Sequence, residues 1–306
     1  MSHTYPEFIW HNGTIKPWAE ATVHVMAHAL HYGSSIFEGI RIYDTPQGPA
    51  IFRLDDHLRR LFMSARVYEM ELPFDQATLA GACAEVVRAN GSSTDYLRPV
   101  AWRGLGGFGL SAETPVDVAV ATWKMGGYLG ADVIENGIDA CVTSWNRVAP
   151  NTIPAGAKAG GNYLSGQLIA REARRLGFGE GIALSTDGMI SEGAGENLFL
   201  LFDGVLFTPP VASGILNGIT RDTVIRLAAE EGIVVREQNL PREYLYFAEE
   251  IFMCGTAVEI TPLRSVDGRP VGAGVAGPVT RRLQGRFFDL VHGRVDDTRG
   301  WLTAVD

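Results

Sequence analysis

The sequence predicts an α+β fold in two domains, and three observations carry that prediction. The turn dipeptides Asn12-Gly13, Asp187-Gly188 and Asp203-Gly204 each lie between short strand-like runs, which marks hairpins and antiparallel pairing rather than a βαβ array. Leu58, Leu61, Phe62 and Ala65 fall at helical spacing. A glycine-rich connection, 125–131, interrupts the pattern within a chain of 306 residues, a length that favours two domains. The expected division is a smaller domain over residues 1–124, a connecting loop over 125–135, and a larger domain over 136–306.

In chain order, Phe8–His11 and Thr14–Lys16 form the first predicted hairpin. Gly39–Tyr43 and Pro49–Leu54 flank a turn containing Pro46 and Gly48. A helix follows from Asp55, and a second runs from about Asp75 to Ala89. Tyr96–Arg103 and Asp117–Lys124 read as strands. Beyond the connection, Ile138–Ser144 is a strand and Tyr163–Leu176 a helix. Ala183–Ser191 and Leu198–Phe207 are hairpins. Thr220 is the expected N-cap of a helix reaching Glu231, and Val279–Val291 is the final helix. No internal repeat or low-complexity tract is visible.

Composition narrows the function classes. Hydrophobic residues make up 46% and charged residues 20%, ordinary for a globular chain. The net charge of −9 disfavours a nucleic-acid partner. Cys83, Cys141 and Cys254 are widely separated and odd in number, so neither a disulfide framework nor zinc spacing is present. Residues 1–13 lack a basic segment followed by an apolar run, and no apolar stretch reaches the ~18 residues of a membrane span. A soluble cytoplasmic protein is expected.

Several motifs carry little. Gly104-Leu105-Gly106-Gly107-Phe108-Gly109 matches G-x-G-x-x-G, but a dinucleotide site needs a helix directly after it. Here Ser111–Pro115 and another strand follow. His24, His28 and His31 lack a nearby acidic or thiol partner and read as structural. No G-x-S-x-G nucleophile is present. The chain has only three lysines, Lys16, Lys124 and Lys158. Lys158 sits in Ala155-Gly-Ala-Lys158-Ala-Gly-Gly161, where small neighbours leave room for a bulky planar group at the amine.

A lysine in such a setting raises the possibility of pyridoxal phosphate (PLP). That cofactor needs an amine, a partner for its pyridine nitrogen, donors for its phosphate and an anchor for the substrate carboxylate. Ser191-Glu192-Gly193-Ala194-Gly195-Glu196-Asn197 offers a carboxylate, with glycines that permit close backbone approach. Gly218-Ile219-Thr220 opens a helix, a setting suited to phosphate. Arg60 can add a charge-assisted bond, and Gly255-Thr256-Ala257 a hydroxyl and N–H groups. Each string also fits an ordinary turn, cap or solvated face.

Taken in order, HYGSSIFEGIR (31–41), HLRRL (57–61), YLRP (96–99), TSWNRVAPNTIP (143–154), AKAGGNY (157–163), ISEGAGENLF (190–199), GITRD (218–222) and CGTAVEITP (254–262) resemble the fold-type IV PLP enzymes. Within them they resemble the branched-chain amino acid aminotransferases, over nearly the whole chain. The resemblance implies a small two-layer α/β N-terminal domain and a larger C-terminal domain with a pseudo-barrel. It implies that Lys158 holds PLP as a Schiff base and moves the Cα proton, and that Glu192 pairs with the pyridine nitrogen beside Gly195. Arg60, Gly218, Ile219, Thr220 and Thr256 would bind the phosphate, with Tyr163 near the phenolate oxygen. Tyr96, supported by Arg41, and the Thr256 and Ala257 amides would hold the substrate α-carboxylate. Phe37 would supply an apolar wall, and Arg98, Tyr128 and Tyr32 polar groups at its rim. Tyr32 and Leu110 would arrive from a second subunit, so a homodimer is the expected minimum, and a hexamer built as a trimer of dimers occurs in the family.

The implied reaction moves the amino group of L-leucine, L-isoleucine or L-valine to 2-oxoglutarate with ping-pong kinetics. One departure stands out. The family's Pro-Trp-Gly-Ala before Tyr128 is here Lys124-Met125-Gly126-Gly127. Flexible Met125 in place of an indole predicts a roomier pocket. D-amino acid aminotransferase, aminodeoxychorismate lyase and (R)-amine transaminase share the fold and remain alternatives, as does a nucleotide-binding protein using the 104–109 loop.

Overall fold

In a computed structural model, which describes residues 5–91, 94–127 and 132–305, the first chain reversal is the one that Asn12-Gly13 predicts. Asn12 (φ 48°) and Gly13 (φ 94°) both take positive φ, and Phe8–His11 pairs antiparallel with Thr14–Pro17. Positive φ at both turn positions matches the right-handed twist of the strands. The chain clusters into two units. The first comprises Met1–Gly126, Ala157–Gly161 and Leu290–Asp306, and the second Gly127–Gly156 and Asn162–Asp289.

In the first unit, the described strands run in the order Leu302–Ala304, Gly48–Phe52, Ile40–Thr45, Tyr96–Arg103, Val116–Trp123, Phe8–His11, Thr14–Pro17, with Ser35–Phe37 beside Tyr96–Arg103. Every pair is antiparallel. Successive side chains of a strand point to opposite faces. Leu97, Ala101, Val118 and Val120 pack with Leu58, Leu61, Leu79 and Val86 of helices Leu54–Val67 and Gln76–Asn90. That core selects the register, because a one-residue slip would turn the apolar set outward. The other face carries Tyr96, Arg98, Val100 and Trp102. The Asp75 carboxylate accepts the Thr78 N–H and caps the second helix.

In the second unit, the order is Ile190–Gly193, Glu180–Leu184, Ile138–Val142, Glu259–Val266, Glu250–Gly255, Asn197–Phe202, Val205–Thr208, Val235–Glu237, with Arg269–Pro270 beside Glu259–Val266. The hairpins at Asp187-Gly188 and Asp203-Gly204 form as predicted. Two parallel connections lie among them. Helix Tyr163–Arg175 carries the chain from Ile138–Val142 to its parallel neighbour Glu180–Leu184. Helix Ile219–Glu230 does the same between Val205–Thr208 and Val235–Glu237. Parallel neighbours need a crossover of a dozen or more residues, and these helices supply it. The α+β class stands, with two βαβ units inside it.

One expected cap is displaced. The N-cap of Ile219–Glu230 is Gly218, with no side-chain cap, and Thr220 is buried inside the first turn. Among the described residues, no helix is long and apolar enough to cross a membrane.

Candidate active site

Lys158 is bound to the first unit by its backbone. Its N–H donates to Ser64 Oγ (2.9 Å), its carbonyl accepts the Phe37 N–H (3.0 Å), and the neighbouring Ala159 bridges Ile36 as a short antiparallel contact. Ala157 and Ala159 are buried. A Cβ at Gly160 would lie 2.3 Å from Ser35 Oγ. Gly160 is therefore held small by close packing on the Ser35–Phe37 strand, and the buried Ala157 and Ala159 pack there with it, whereas a Cβ at Gly156 would meet nothing within 4 Å. The Lys158 amine itself stands 5.1 Å from the centre of the Phe37 ring.

Beneath the lysine lies a buried polar cluster that the sequence does not single out. Glu38 Oε1 and Oε2 accept from Arg60 Nε and Nη2, each at 2.7 Å. His57 Nδ1 lies 2.7 Å from Glu38 Oε2. Burial opposes charge on Glu38, but the Arg60 guanidinium and the hydrogen bonds from Arg60 and His57 outweigh it and hold the carboxyl far below the usual range. Burial pushes the His57 imidazole down despite Glu38, and the positive charges of Arg60 and Lys158 add to that. Arg60, named from the sequence as a phosphate ligand, is thus oriented by Glu38.

Of the residues expected at the substrate, Phe37, Arg41, Tyr96 and Arg98 share the face of the same sheet turned away from the helices. Arg98 Cζ stands 4.5 Å from the Phe37 ring centre, and its Nη2 donates to Tyr96 Oη (3.2 Å). A Cβ at Gly39 would sit 1.9 Å from Tyr96 Oη, so glycine at 39 is what admits the phenol. Arg41 Nη2 donates to the Gly126 carbonyl (2.9 Å) and Nη1 lies 3.6 Å from Asp95. Asp95 in turn accepts the Met125 and Gly126 N–H groups (2.6 and 3.0 Å), which pins the backbone of Met125. Tyr128 lies outside the described residues.

The second unit gathers the remaining residues. Glu192 is buried and accepts from Arg147 Nη2 (2.6 Å), Asn197 Nδ2 (3.1 Å) and the Leu216 N–H (3.0 Å). None of these three donors is singled out by the sequence, though Arg147 and Asn197 lie in quoted strings. Asn197 also fixes the start of the 219–230 helix, where a Cβ at Gly218 would come 2.0 Å from its Oδ1. Helix Tyr163–Arg175, which opens with Tyr163, packs onto the turn after Glu192 through Gly166. A Cβ there would be 2.4 Å from the Ala194 carbonyl. Thr256 and Ala257 form the turn between Glu250–Gly255 and Glu259–Val266. A Cβ on the preceding Gly255 would lie 3.7 Å from the Gly195 carbonyl. A buried carboxylate, a helix start and a hydroxyl-bearing turn thus share one neighbourhood.

Tyr32 and Leu110 are 44% and 88% exposed. The 104–115 segment joins two antiparallel strands, so no helix follows its glycines and the dinucleotide alternative loses its structural basis. His28 lies 2.7 Å from Ser34 Oγ through Nδ1 and 3.1 Å from the Gly109 carbonyl through Nε2, the structural role expected of it.

Comparison with known proteins bears on the family and the fold. Residues 35–266 match the family model for amino-transferase class IV. The branched-chain-amino-acid aminotransferase of Escherichia coli is 55% identical over 308 residues, which cover 100% of both chains. Its crystal structure superposes with a TM-score of 0.96 over 98% of this chain and 100% of that one. The branched-chain amino acid aminotransferase from Thermobaculum terrenum, solved in its PLP-bound holo form, gives 0.91 at 36% identity over 99% of each chain. The match spans both units and every described candidate residue but Tyr32, which the full-length relative covers: this chain belongs to the class IV aminotransferase family.

Proposed function

We propose that the protein is a branched-chain amino acid aminotransferase that uses PLP to move the amino group of L-leucine, L-isoleucine or L-valine to 2-oxoglutarate. The carrying observation is the Phe37 ring, which has the Lys158 amine on it at 5.1 Å and the Arg98 guanidinium at 4.5 Å. Arg98 has no carboxylate partner among the described residues, and its Nε is buried without an acceptor. An apolar wall suits an aliphatic side chain, and a guanidinium at its edge suits the γ-carboxylate of glutamate. The names of the Escherichia coli and Thermobaculum terrenum relatives support a branched-chain amino donor, and the second was solved with the cofactor in place.

The residues present fit PLP. Lys158 supplies the amine that attaches it. Glu192, charge-balanced by Arg147, suits the pyridine nitrogen, with Gly195 alongside. Gly218, Ile219 and Thr220 at a helix start with no side-chain cap, with Arg60 and Thr256, suit the phosphate. Tyr163 is assigned to the phenolate oxygen. Bound PLP supplies an electron sink for negative charge at the substrate Cα. Tyr96, with Arg41 and the Thr256 and Ala257 amides, orients the α-carboxylate. The Lys158 amine takes the Cα proton, and Glu192 holds a proton at the pyridine nitrogen. Tyr32 and Leu110 are assigned to the neighbouring copy's pocket in a homodimer, and the protein to the cytoplasm.

Borohydride reduction of the purified enzyme followed by peptide mass spectrometry should place the cofactor on Lys158. A panel of amino donors with 2-oxoglutarate should give L-glutamate from leucine, isoleucine and valine, and Lys158→Ala should lower transfer by on the order of 10³-fold or more. Formation of D-glutamate, or multiple turnover at a wild-type rate in Lys158→Ala, would overturn the reading. Phenylalanine and small amines belong in the panel because of Met125. Confinement to the three branched-chain donors would count against a roomier pocket.

A further inference from the structure

Trp123 belongs to none of the motif strings that carry the family resemblance. The register of the first sheet nevertheless brings it to the reacting face. Trp123 is the cross-strand partner of Tyr96, and Ala121 is the partner of Arg98. Directly opposed residues of an antiparallel pair project from the same face. The indole therefore stands beside the Tyr96 ring, with centroids 5.0 Å apart and planes at 50°. The small Ala121 leaves space above its strand for the guanidinium.

The result is a cation enclosed by three aromatic rings. Arg98 Cζ lies 4.5 Å from the Phe37 ring centre, 5.5 Å from that of Tyr96 and 5.5 Å from that of Trp123. One nitrogen, Nη2, is bonded to Tyr96 Oη, and Nε is buried without an acceptor. The strand end that bears the indole is itself held, because the Asp95 N–H donates to the Trp123 carbonyl (3.2 Å) and the Asp95 carboxylate accepts the N–H groups of Met125 and Gly126.

We propose that Trp123 is a specificity-determining positioning residue. By caging Arg98 it holds the guanidinium fork ready for the distal carboxylate of a dicarboxylic substrate, glutamate or 2-oxoglutarate. The proposal rests on the functional reading above. A guanidinium is planar and weakly hydrated, so aromatic faces can orient and partly desolvate it without neutralising it. A cation prepared in this way loses little freedom when a carboxylate binds in its plane. Leucine, isoleucine and valine have no distal charge and make no use of the fork. Loss of the indole face therefore falls on dicarboxylates more than on branched-chain substrates.

The test uses PLP-loaded enzyme and the two half-reactions measured separately. The quantity read is kcat/KM for glutamate divided by kcat/KM for leucine, together with inhibition by glutarate against inhibition by 4-methylpentanoate. Trp123→Leu should lower the glutamate/leucine ratio about tenfold and weaken glutarate more than the monoacid, while Trp123→Phe should stay within about twofold of wild type. An unchanged ratio in Trp123→Leu overturns the proposal, as does Trp123→Phe being as damaging as Trp123→Leu, since either outcome reduces the indole to packing. If Trp123→Leu fails to fold or to load cofactor, Ala121→Val crowds the guanidinium from the opposite strand. It should lower the ratio, and an unchanged ratio there also overturns the proposal. A wild-type enzyme that does not turn over glutamate at all defeats the functional reading itself. Wild-type turnover with an unchanged ratio in the variants defeats only the role of Trp123.

Discussion

At the scale of single residues, the Glu38–His57–Arg60 cluster shows what a linear reading misses. Both quoted strings, HYGSSIFEGIR and HLRRL, contain its members, yet only Arg60 stands out, as a cation on a helix. Glu38 lies 19 residues from His57 and 22 from Arg60, separations that no helix or strand period connects. A glutamate after a strand reads as solvated, and only the folded sheet buries it. The cluster makes a testable statement about pH. Folded His57 resists protonation, whereas in the unfolded chain it titrates near the ordinary value of about 6.5. The unfolded state therefore binds more protons below that pH. The stability His57 contributes is present above about pH 6.5 and is lost as pH falls from there through the depressed folded value. The Glu38 contribution has a lower window. Its folded carboxyl is held down, so its share is lost only below the ordinary carboxylate range. Urea unfolding at pH 7, 6 and 5 should show declining stability, and His57→Asn, which cannot titrate, should flatten that slope. Parallel slopes in the two proteins would refute the assignment.

At the scale of elements, legibility depended on whether the two faces of a segment meet different surroundings. Tyr96–Arg103 falls on the predicted residues because one face meets the helices and the other does not, which leaves a readable pattern. Glu250–Gly255 is buried along nearly its whole length, so its apolar run has no alternation to read, and the sequence predicts no strand there. Glycines inside helices are equally mute in sequence and differ sharply in structure. A Cβ at Gly81, on the exposed side of Gln76–Asn90, meets nothing within 4 Å. A Cβ at Gly166, in Tyr163–Arg175, would lie 2.4 Å from the Ala194 carbonyl, a backbone atom that cannot swing away. Gly81→Ala should stabilise the protein by about 0.4–1 kcal/mol, chiefly by restricting the unfolded chain. Gly166→Ala should destabilise it by about 1–3 kcal/mol through overpacking, and should also weaken PLP binding, because it displaces the turn that follows Glu192. Denaturant melts of the two variants, with a cofactor titration of the second, separate these outcomes. Equal effects at the two glycines would contradict the packing.

At the scale of the whole molecule, the residues proposed to meet a cofactor's chemical needs were named from the sequence, while the groups that support them emerge only from tertiary structure. Lys158 and Glu192 stand out because the chain has only three lysines and because both lie in strings that carry the family resemblance. Arg147 does not, because its meaning depends on a 2.6 Å contact with a residue 45 positions later. The surface poses the same question of completeness. Tyr32 and Leu110 share the first unit with exposed Val25, Leu30, Leu105 and Phe108. The His28 contact with the Gly109 carbonyl ties the loop bearing Leu110 to helix His28–Tyr32. Soluble monomers rarely expose so much apolar surface on adjoining segments, and a second copy of the chain is the partner proposed for it. In a two-fold interface each residue occurs twice, so one substitution introduces two charges that must lose water together. Leu110→Glu also adds to a chain charge that is already −9. Because the side chain is 88% exposed, its replacement leaves the core of the subunit intact. Sedimentation velocity should therefore find the wild type as a dimer or larger and Leu110→Glu shifted toward a species of 33.2 kDa, with far-ultraviolet circular dichroism unchanged. A wild-type enzyme sedimenting at the mass of one chain, or a variant that stays fully assembled, would remove this surface from the proposed interface.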